Sequence, residues 1–262
     1  MRKSVDEHFK ERIMDARLRK KVRSDFHKWK EIVAKFNRFD MGSPLLSVLE
    51  DNKELYSCRL DKGSSFFRGR IFNLDEVAPT EEELEGFFRE KAPCFQGYNE
   101  DKSGAPPHEF ALEGRLNCKG ISFLYTCNNP KTVIYELRPI KSENISIAEF
   151  ITNRELNFAD LRMSSSRRFR RDDILFDLLY RIAAEFSRPH YIGHNYWFTQ
   201  YLAGQFINMG FDGIVFESSL HPEGDNLVFF YPEDCTAVNS RLYRVEKISI
   251  SSKEISREDL LY

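Results

Sequence analysis

Three polar residues stand in or beside short apolar runs, and their types could perform chemistry together. They are Arg68, Glu136 and Ser218. An unpaired buried charge is very costly, so Arg68 needs a carboxylate or phosphate partner. The neighbouring Gly69 has no side chain, which would let a ligand approach the backbone closely. Two interpretations are open. Arg68 and Glu136 could form an ion pair that only fixes the core, with Ser218 as a turn residue, or the three could build one site.

The common catalytic and phosphate-binding motifs are absent from the sequence. It contains no G-x-G-x-x-G, no G-x-x-x-x-G-K-[ST], no H-E-x-x-H and no G-x-S-x-G. His190 and His194 are four residues apart, but Pro189 and Gly193 disfavour a helix between them. No nearby cysteine or carboxylate completes a ligand set. We therefore expect ordinary loop histidines and no metal site.

A second cluster of charge lies in the run Ser164–Arg171, which has four arginines in five positions. The run is typical of an exposed loop. It could instead attract an anionic ligand or contact an acidic partner. Charge alone does not decide between these interpretations.

The elements that must position these residues are short β-rich runs bounded by turns. We predict strands at Phe66–Phe72, Ser122–Thr126, Thr132–Arg138, Gly213–Phe216, Asn226–Tyr231 and Leu242–Ile250. Two helices are predicted before the fourth strand. One carries Leu175, Leu179, Ile182 and Phe186 on one face, and the other spans Tyr196–Met209. Irregular alternation of strands and helices indicates an α+β domain, with Arg68, Glu136 and Ser218 on three strands.

The N-terminal region has a different character. Residues 1–40 contain 13 Lys+Arg and 7 Asp+Glu, a balance of +6, whereas the remainder has a balance of −8. Apolar residues recur there at helical spacing, which predicts an amphipathic helix: Met14, Leu18, Val22, Phe26, Trp29, Val33 and Phe36. This helix could dock on the main domain or offer a surface to a partner protein or nucleic acid. Polar breaks predict a helical segment at 1–60, a main domain at 61–250 and a charged tail at 251–262.

Composition limits the class of protein. The chain has 262 residues, of which 41% are hydrophobic and 14% aromatic, so it can bury a core. A net charge of −2 excludes a uniformly basic nucleic-acid coat. No run approaches 18 apolar residues, and the charged N-terminus does not resemble a signal peptide. The five cysteines are scattered, without a Cys-x-x-Cys pair, which predicts reduced thiols and a cytoplasmic protein.

Around the three candidate residues the sequence resembles the RES-domain family, which is named for its Arg, Glu and Ser. The matching segments, in the family's order and spacing, are FFRGR (66–70), GRLNCKGISFLY (114–125), TVIYELRP (132–139), TQYLAGQFINMGFDGIVFESS (199–219) and DNLVFF (225–230). The resemblance covers roughly residues 61–235. It implies a fold similar to ADP-ribosyltransferase toxins and a toxin of a bacterial toxin–antitoxin pair, with an Xre-type antitoxin as partner.

The resemblance also implies roles for individual residues. Arg68, Glu136 and Ser218 match the three residues that give the family its name, and we expect them to be catalytic. Gly69 stands where some members have an aromatic residue, so we expect nicotinamide stacking to fall on another ring. The NAD⁺-binding candidates, besides Arg68, are Arg115, Tyr125, Asn117 and Ser219, with Tyr125 as the stacking residue.

From this resemblance we expect an enzyme that degrades NAD⁺ by cleaving the nicotinamide–ribose bond, as a phosphorylase or glycohydrolase. NAD⁺ would be the substrate and not a cofactor. An enzyme of the same fold that transfers ADP-ribose to a protein is one alternative. An alternative of another class is a catalytically silent nucleotide- or partner-binding module. We expect no membrane partner and, for this chain alone, no nucleic acid.

Overall fold

A computed structural model describes residues 5–35, 43–73, 95–163, 174–188, 196–249, 251–252 and 254, with the side chains of the first helix described from residue 19 onward. The helices are α1 (Val5–Lys35), α2 (Pro44–Asp51), α3 (Glu100–Ser103), α4 (Pro130–Leu137), α5 (Ile174–Ser187) and α6 (Trp197–Asn208). Short 3-10 turns lie at Lys53–Leu55, His108–Phe110 and Pro232–Asp234.

The strands form one mixed sheet. They are β1 (Ser57–Leu60), β2 (Ser65–Ile71), β3 (Leu124–Cys127), β4 (Asn144–Thr152), β5 (Leu156–Asp160), β6 (Gly213–Glu217), β7 (Asp225–Phe229) and β8 (Cys235–Arg244). Their order in the eight-stranded sheet is β1-β5-β6-β7-β3-β2-β4-β8. Every adjacent pair is antiparallel except β5 and β6, which are parallel. The expected α+β class is confirmed.

The predicted strand at Thr132–Arg138 is wrong, because this segment forms helix α4. Asn129 caps the helix, since its side chain accepts a hydrogen bond from the N–H of Thr132 at 2.9 Å. Pro130 follows at the first helical position, where its fixed φ favours a helix and its missing N–H is not needed. Arg138, with φ of 48°, ends the helix in the left-handed region. Glu136 therefore lies on a helix and not on a strand.

Other strand predictions differ in extent. The predictions near β2, β3, β6 and β7 are confirmed within one or two residues, whereas the last strand runs Cys235–Arg244 and not Leu242–Ile250. The sequence prediction omitted β1, β4 and β5. Strand β4 was not predicted because Glu149 interrupts its apolar pattern. The Glu149 carboxylate accepts hydrogen bonds from Ser65 Oγ at 2.5 Å and from Asn239 Nδ2 at 2.7 Å. A satisfied polar residue interrupts the apolar pattern without ending the strand.

Both predicted central helices are confirmed, and they join α1 and α2 in a core on one face of the sheet. The α1 stripe is buried where its side chains are described, at Val22, Phe26, Trp29 and Val33. Trp29 packs edge-on against Phe198 of α6, with ring centroids 5.4 Å apart. Helix α1 is therefore docked on the main domain. Phe36 and the side chains of Met14 and Leu18 lie outside the described residues.

The predicted boundary near residue 60 falls between β1 and β2, and both strands belong to the same sheet. Helix α4 lies toward the β8 edge of the sheet, at the other end of the strand order from β1. It covers part of β2 and β4, where Val133 packs with Ile145 and Ile147. None of the helices in the described ranges is both long enough and apolar enough to cross a membrane.

Candidate active site

Helix α4 carries Glu136 and lies directly on strand β2. A Cβ at Gly69 would contact Val133 Cγ1 and would lie 2.9 Å from Leu137 Cδ1. The absent side chain of Gly69 therefore makes room for the helix, and the Gly69 backbone also lines the cavity, where the approach of a ligand stays a prediction. The glycine lets α4 pack closely on β2, and Glu136 on the helix lines the same cavity as Arg68 on the strand.

Two donors hold one oxygen of the Glu136 carboxylate. Ser218 Oγ and Asn226 Nδ2 each donate a hydrogen bond to Glu136 Oε1 at 2.7 Å. Ser218 follows β6, and Asn226 lies on the neighbouring strand β7. Ser218 and Glu136 were expected in one site from the sequence, whereas Asn226 was not predicted. The available signal was weak, because an amide near the start of an apolar strand also suits a turn.

Arg68 lies on β2 and lines the same cavity, but among the described residues it forms no ion pair with Glu136. Its Nη1 donates a hydrogen bond to the carbonyl oxygen of Tyr125 at 3.2 Å. Its Nε is buried and has no hydrogen-bond partner among the described residues. Burial, with a smaller contribution from the positive charge of Arg70, lowers the pKa of Arg68 to about 10. The alternative of an Arg68–Glu136 pair that only fixes the core is therefore wrong.

The loop before β3 supplies the second arginine of the site. Arg115 donates a hydrogen bond from Nη1 to the carbonyl oxygen of Phe186, at the end of α5. Burial lowers the pKa of Arg115, while the nearby charge of Glu136 opposes that shift. Thr199 Oγ1 donates to the carbonyl oxygen of Arg115 at 2.5 Å, so α6 fixes the backbone that carries this guanidinium.

Tyr125 lines the cavity from β3, and its hydroxyl is fixed by the same loop. The hydroxyl donates to Asn117 Oδ1 at 2.6 Å and accepts from the N–H of Leu116 at 3.1 Å. Burial raises the pKa of Tyr125 well above its usual value. Gly114 is needed here, because a Cβ at this position would contact Asn117 Oδ1 and lie 2.9 Å from the tyrosine hydroxyl.

The cavity has a volume of about 290 Å³ and joins the predicted residues from several elements. Its walls include four of them, Arg68, Arg115, Tyr125 and Glu136, together with the unpredicted Asn226. Its other lining residues are Phe67, Gly69, Thr126, Cys127, Val133, Leu137, Phe216 and Val228. The site thus places two half-buried cations and one carboxylate on a largely apolar wall.

Three predicted residues lie behind or outside this lining. Ser218 is buried behind Glu136. Asn117 is buried behind Tyr125, where its Nδ2 donates to the carbonyl oxygens of Leu112 at 2.9 Å and Ile121 at 2.7 Å. Ser219 is exposed and does not line the cavity.

Two other features of the sequence lie outside the described residues. These are the histidine pair His190 and His194 and the arginines of the run at 164–171. Within the described ranges, no group of three or more His, Cys, Asp and Glu side chains is arranged to hold a metal ion.

The arrangement can bind an anionic ligand and stabilise a positive charge at the same time. The guanidinium groups of Arg68 and Arg115 suit phosphate oxygens, and their burial strengthens the attraction. The Glu136 oxygen that accepts no hydrogen bond from the described residues is available to a hydroxyl group or a developing cation. An aromatic ring at Tyr125 adds a flat apolar surface.

Comparison with known proteins places the chain in a family. No curated protein matches it. Among solved structures, the crystal structure of the M. tuberculosis MbcT–MbcA toxin–antitoxin complex matches with 9% sequence identity and a TM-score of 0.44, over 75% of this chain and 92% of that chain. The family model of the RES domain matches residues 89–247, a range that includes Arg115, Tyr125, Glu136 and Ser218 but not Arg68. Since this range is more than half of the sequence, the chain belongs to the RES domain family.

Proposed function

We propose that this chain is a toxin that degrades NAD⁺ by cleaving the bond between nicotinamide and ribose. The observation that carries the proposal is the position of Glu136. Its carboxylate is held by Ser218 and Asn226 in a cavity that also contains Arg68 and Arg115. Membership of the RES family supports NAD⁺ as the substrate, because the resemblance to this family implies NAD⁺ consumption.

Two arginines and a ring account for binding. NAD⁺ carries two phosphate charges, and a charge-assisted hydrogen bond to an arginine contributes roughly 1.5–3 kcal/mol. Arg68 has a buried Nε that no described residue satisfies, so a phosphate oxygen would supply its missing acceptor. Tyr125 would offer its ring to the nicotinamide, because its hydroxyl is already fixed by Asn117.

Glu136 accounts for the chemistry. When the bond between ribose C1 and the nicotinamide nitrogen breaks, its electron pair leaves with the nitrogen, which becomes neutral. The ribose ring becomes an oxocarbenium-like cation. A carboxylate close to that ring stabilises charge that appears only in the transition state, where stabilisation increases the rate most. Addition of water or phosphate at C1, with loss of a proton, then gives ADP-ribose or its 1-phosphate.

Ser218 has an orienting role in this proposal. Its hydroxyl donates to the Glu136 carboxylate, and no described histidine accepts a hydrogen bond from it, so Ser218 lacks the histidine that activates a serine nucleophile. The available Glu136 oxygen would meet the ribose, while Ser218 and Asn226 hold the other one.

We also propose that the chain has an antitoxin partner of the Xre type, which the family resemblance implies. Titrating a candidate antitoxin against the purified chain tests this proposal. Binding that abolishes NAD⁺ consumption at a fixed stoichiometry would support it. Full activity in the presence of a saturating, demonstrably bound candidate would contradict the role of that protein as the antitoxin.

The products of the reaction test the proposed activity. Purified chain is incubated with NAD⁺ in the presence and absence of inorganic phosphate, and the products are separated by chromatography. We expect free nicotinamide in amounts equal to the NAD⁺ consumed, with ADP-ribose or its phosphate as the second product. Radiolabelled ADP-ribose attached to added protein would instead identify a mono-ADP-ribosyltransferase. Intact NAD⁺ after prolonged incubation with folded chain would contradict the proposal.

A further inference from the structure

The turn after β6 fixes the direction of the Ser218 hydroxyl proton. Ser218 Oγ accepts hydrogen bonds from the backbone N–H groups of Leu220 and His221, each at 3.1 Å, and donates to Glu136 Oε1. A hydroxyl group has one proton and two lone pairs. Because both lone pairs are occupied, the proton is directed at the carboxylate.

His221 attaches this turn to the helix that carries Glu136. It is buried, with 6% of its surface exposed. Its Nδ1 lies 2.9 Å from Thr132 Oγ1, and its ring stacks on Tyr135, with centroids 4.9 Å apart and planes inclined by 11°. Thr132 lies in the first turn of α4, and Tyr135 directly precedes Glu136. The imidazole therefore bridges the serine turn and the glutamate helix.

The backbone of the turn allows the close contact between His221 and Thr132 of α4. The N–H of Ser218 donates to the carbonyl oxygen of Gly224 at 2.8 Å, and the N–H of Gly224 donates to that of His221 at 2.9 Å. A Cβ at Gly224 would contact Thr132 Oγ1 and would lie 2.9 Å from His221 Nδ1. A larger residue at position 224 would thus push the imidazole away from α4.

We propose that His221 is a positioning residue for the reaction, acting on Glu136 through the Ser218 turn. His221 does not line the cavity, so it is not proposed to touch NAD⁺. It holds in place the turn whose Leu220 and His221 N–H groups donate to Ser218 Oγ. Ser218 in turn orients the Glu136 carboxylate. The proposal rests on the proposed NAD⁺ cleavage, because the carboxylate it orients is the proposed catalytic group.

Two substitutions separate positioning from simple packing. His221→Leu keeps much of the side-chain volume but removes Nδ1, whereas His221→Asn retains a polar atom near the position of Nδ1. We expect His221→Leu to lower kcat by about tenfold to a hundredfold, as small misplacements of catalytic groups do, with little change in KM for NAD⁺. His221→Asn should recover a large part of kcat.

A double-mutant cycle tests the route of the effect. In a chain that already carries Ser218→Ala, His221→Leu should lower kcat by less than about twofold, because the turn no longer acts on Glu136. Ser240→Ala serves as a control for lost stability. Ser240 is fully buried and hydrogen-bonded to Gly97 and Tyr98, away from the cavity, so its loss should lower Tm without changing kcat per folded molecule.

Amide hydrogen exchange gives a readout that does not need NAD⁺. We expect the N–H groups of Leu220 and His221 to lose protection in His221→Leu and to keep it in His221→Asn. Unchanged protection in His221→Leu, or fully additive losses of kcat in the cycle, would overturn the positioning role. Failure of the wild-type chain to consume NAD⁺ would overturn the proposed function instead, while the exchange pattern would still decide whether His221 holds the turn.

Discussion

The guanidinium of Arg68 is buried at the cavity, with one N–H group that no described residue satisfies. Leaving a buried donor of a charged group unsatisfied costs about 1–3 kcal/mol or more. An anionic ligand in the cavity would offset this cost by supplying a hydrogen-bond acceptor. At the scale of single residues, the proposed binding of a phosphate-containing substrate therefore rests most directly on Arg68.

Substitution of Arg68 tests that role. We expect Arg68→Ala to weaken NAD⁺ binding by roughly 1.5–3 kcal/mol, and Arg68→Lys to recover only part, because an ammonium group lacks the planar fork of a guanidinium. Calorimetric titration in the Glu136→Gln background avoids turnover. Arg70→Ala is the matched control, since Arg70 lies on the same strand but donates to Gly104 and does not line the cavity. Equal NAD⁺ affinities of the Glu136→Gln protein and of the same protein carrying Arg68→Ala, Arg68→Lys or Arg70→Ala would show that Arg68 does not contribute to NAD⁺ binding.

At the scale of elements, the position of α4 on β2 decides where Glu136 points. The contact depends on Gly69, whose missing Cβ leaves room for Val133 and Leu137. Helix α4 has only 8 residues, so its stability depends on this packing and on its cap at Asn129 more than on its own propensity.

Two glycine substitutions are expected to have opposite effects on stability. Gly69→Ala should lower the free energy of unfolding by roughly 1–3 kcal/mol, because the added methyl group overpacks the helix–strand contact. Gly204→Ala in α6 should raise it by about 0.5–1 kcal/mol, since nothing lies within 4 Å of the added Cβ and alanine favours the helix. Urea unfolding curves measure both. A Gly69→Ala protein as stable as the wild type, or more stable, would contradict the packing described for Gly69.

The same elements show what could be predicted from the sequence. Arg68, Glu136 and Ser218 could be identified because each is polar beside apolar residues, and the family resemblance supplied Arg115 and Tyr125. Helix α4 could not be identified from its run of β-branched and aromatic residues, because the cap at Asn129 and the glycine contact on β2 outweigh those propensities. Asn226 was missed because its partner is 90 residues away in sequence, and only the fold brings them together.

At the scale of the whole molecule, the basic N-terminal helix is part of the main core. Trp29 is almost fully buried among Phe26, Phe198 and Tyr201, and Lys30 forms a 2.7 Å ion pair with Glu185 of α5. The helix therefore stabilises the layer formed by α5 and α6. That layer in turn holds the loop of Arg115, through Phe186 and Thr199.

Substitution of Trp29 tests this structural role. Trp29→Ala should lower the free energy of unfolding by roughly 3–5 kcal/mol, as expected for removal of a large buried aromatic side chain. Trp29→Phe should cost less, because it keeps a ring and removes an Nε1 donor that is buried without a described partner. NAD⁺ consumption per folded molecule should stay unchanged in both. A stable Trp29→Ala protein without activity would show that the helix contributes to the site itself.

The most direct test of the central claim compares two glutamates with similar surroundings. Glu136 and Glu149 each accept hydrogen bonds from one serine and one asparagine, but only Glu136 lines the cavity. Initial rates of NAD⁺ consumption are measured for Glu136→Gln and Glu149→Gln, with each normalised to folded protein. We predict a loss of about 10²-fold or more for Glu136→Gln, as for removal of a group that stabilises transition-state charge, and a near-normal rate for Glu149→Gln. Near-normal turnover by a well-folded Glu136→Gln protein would contradict the catalytic role of this carboxylate.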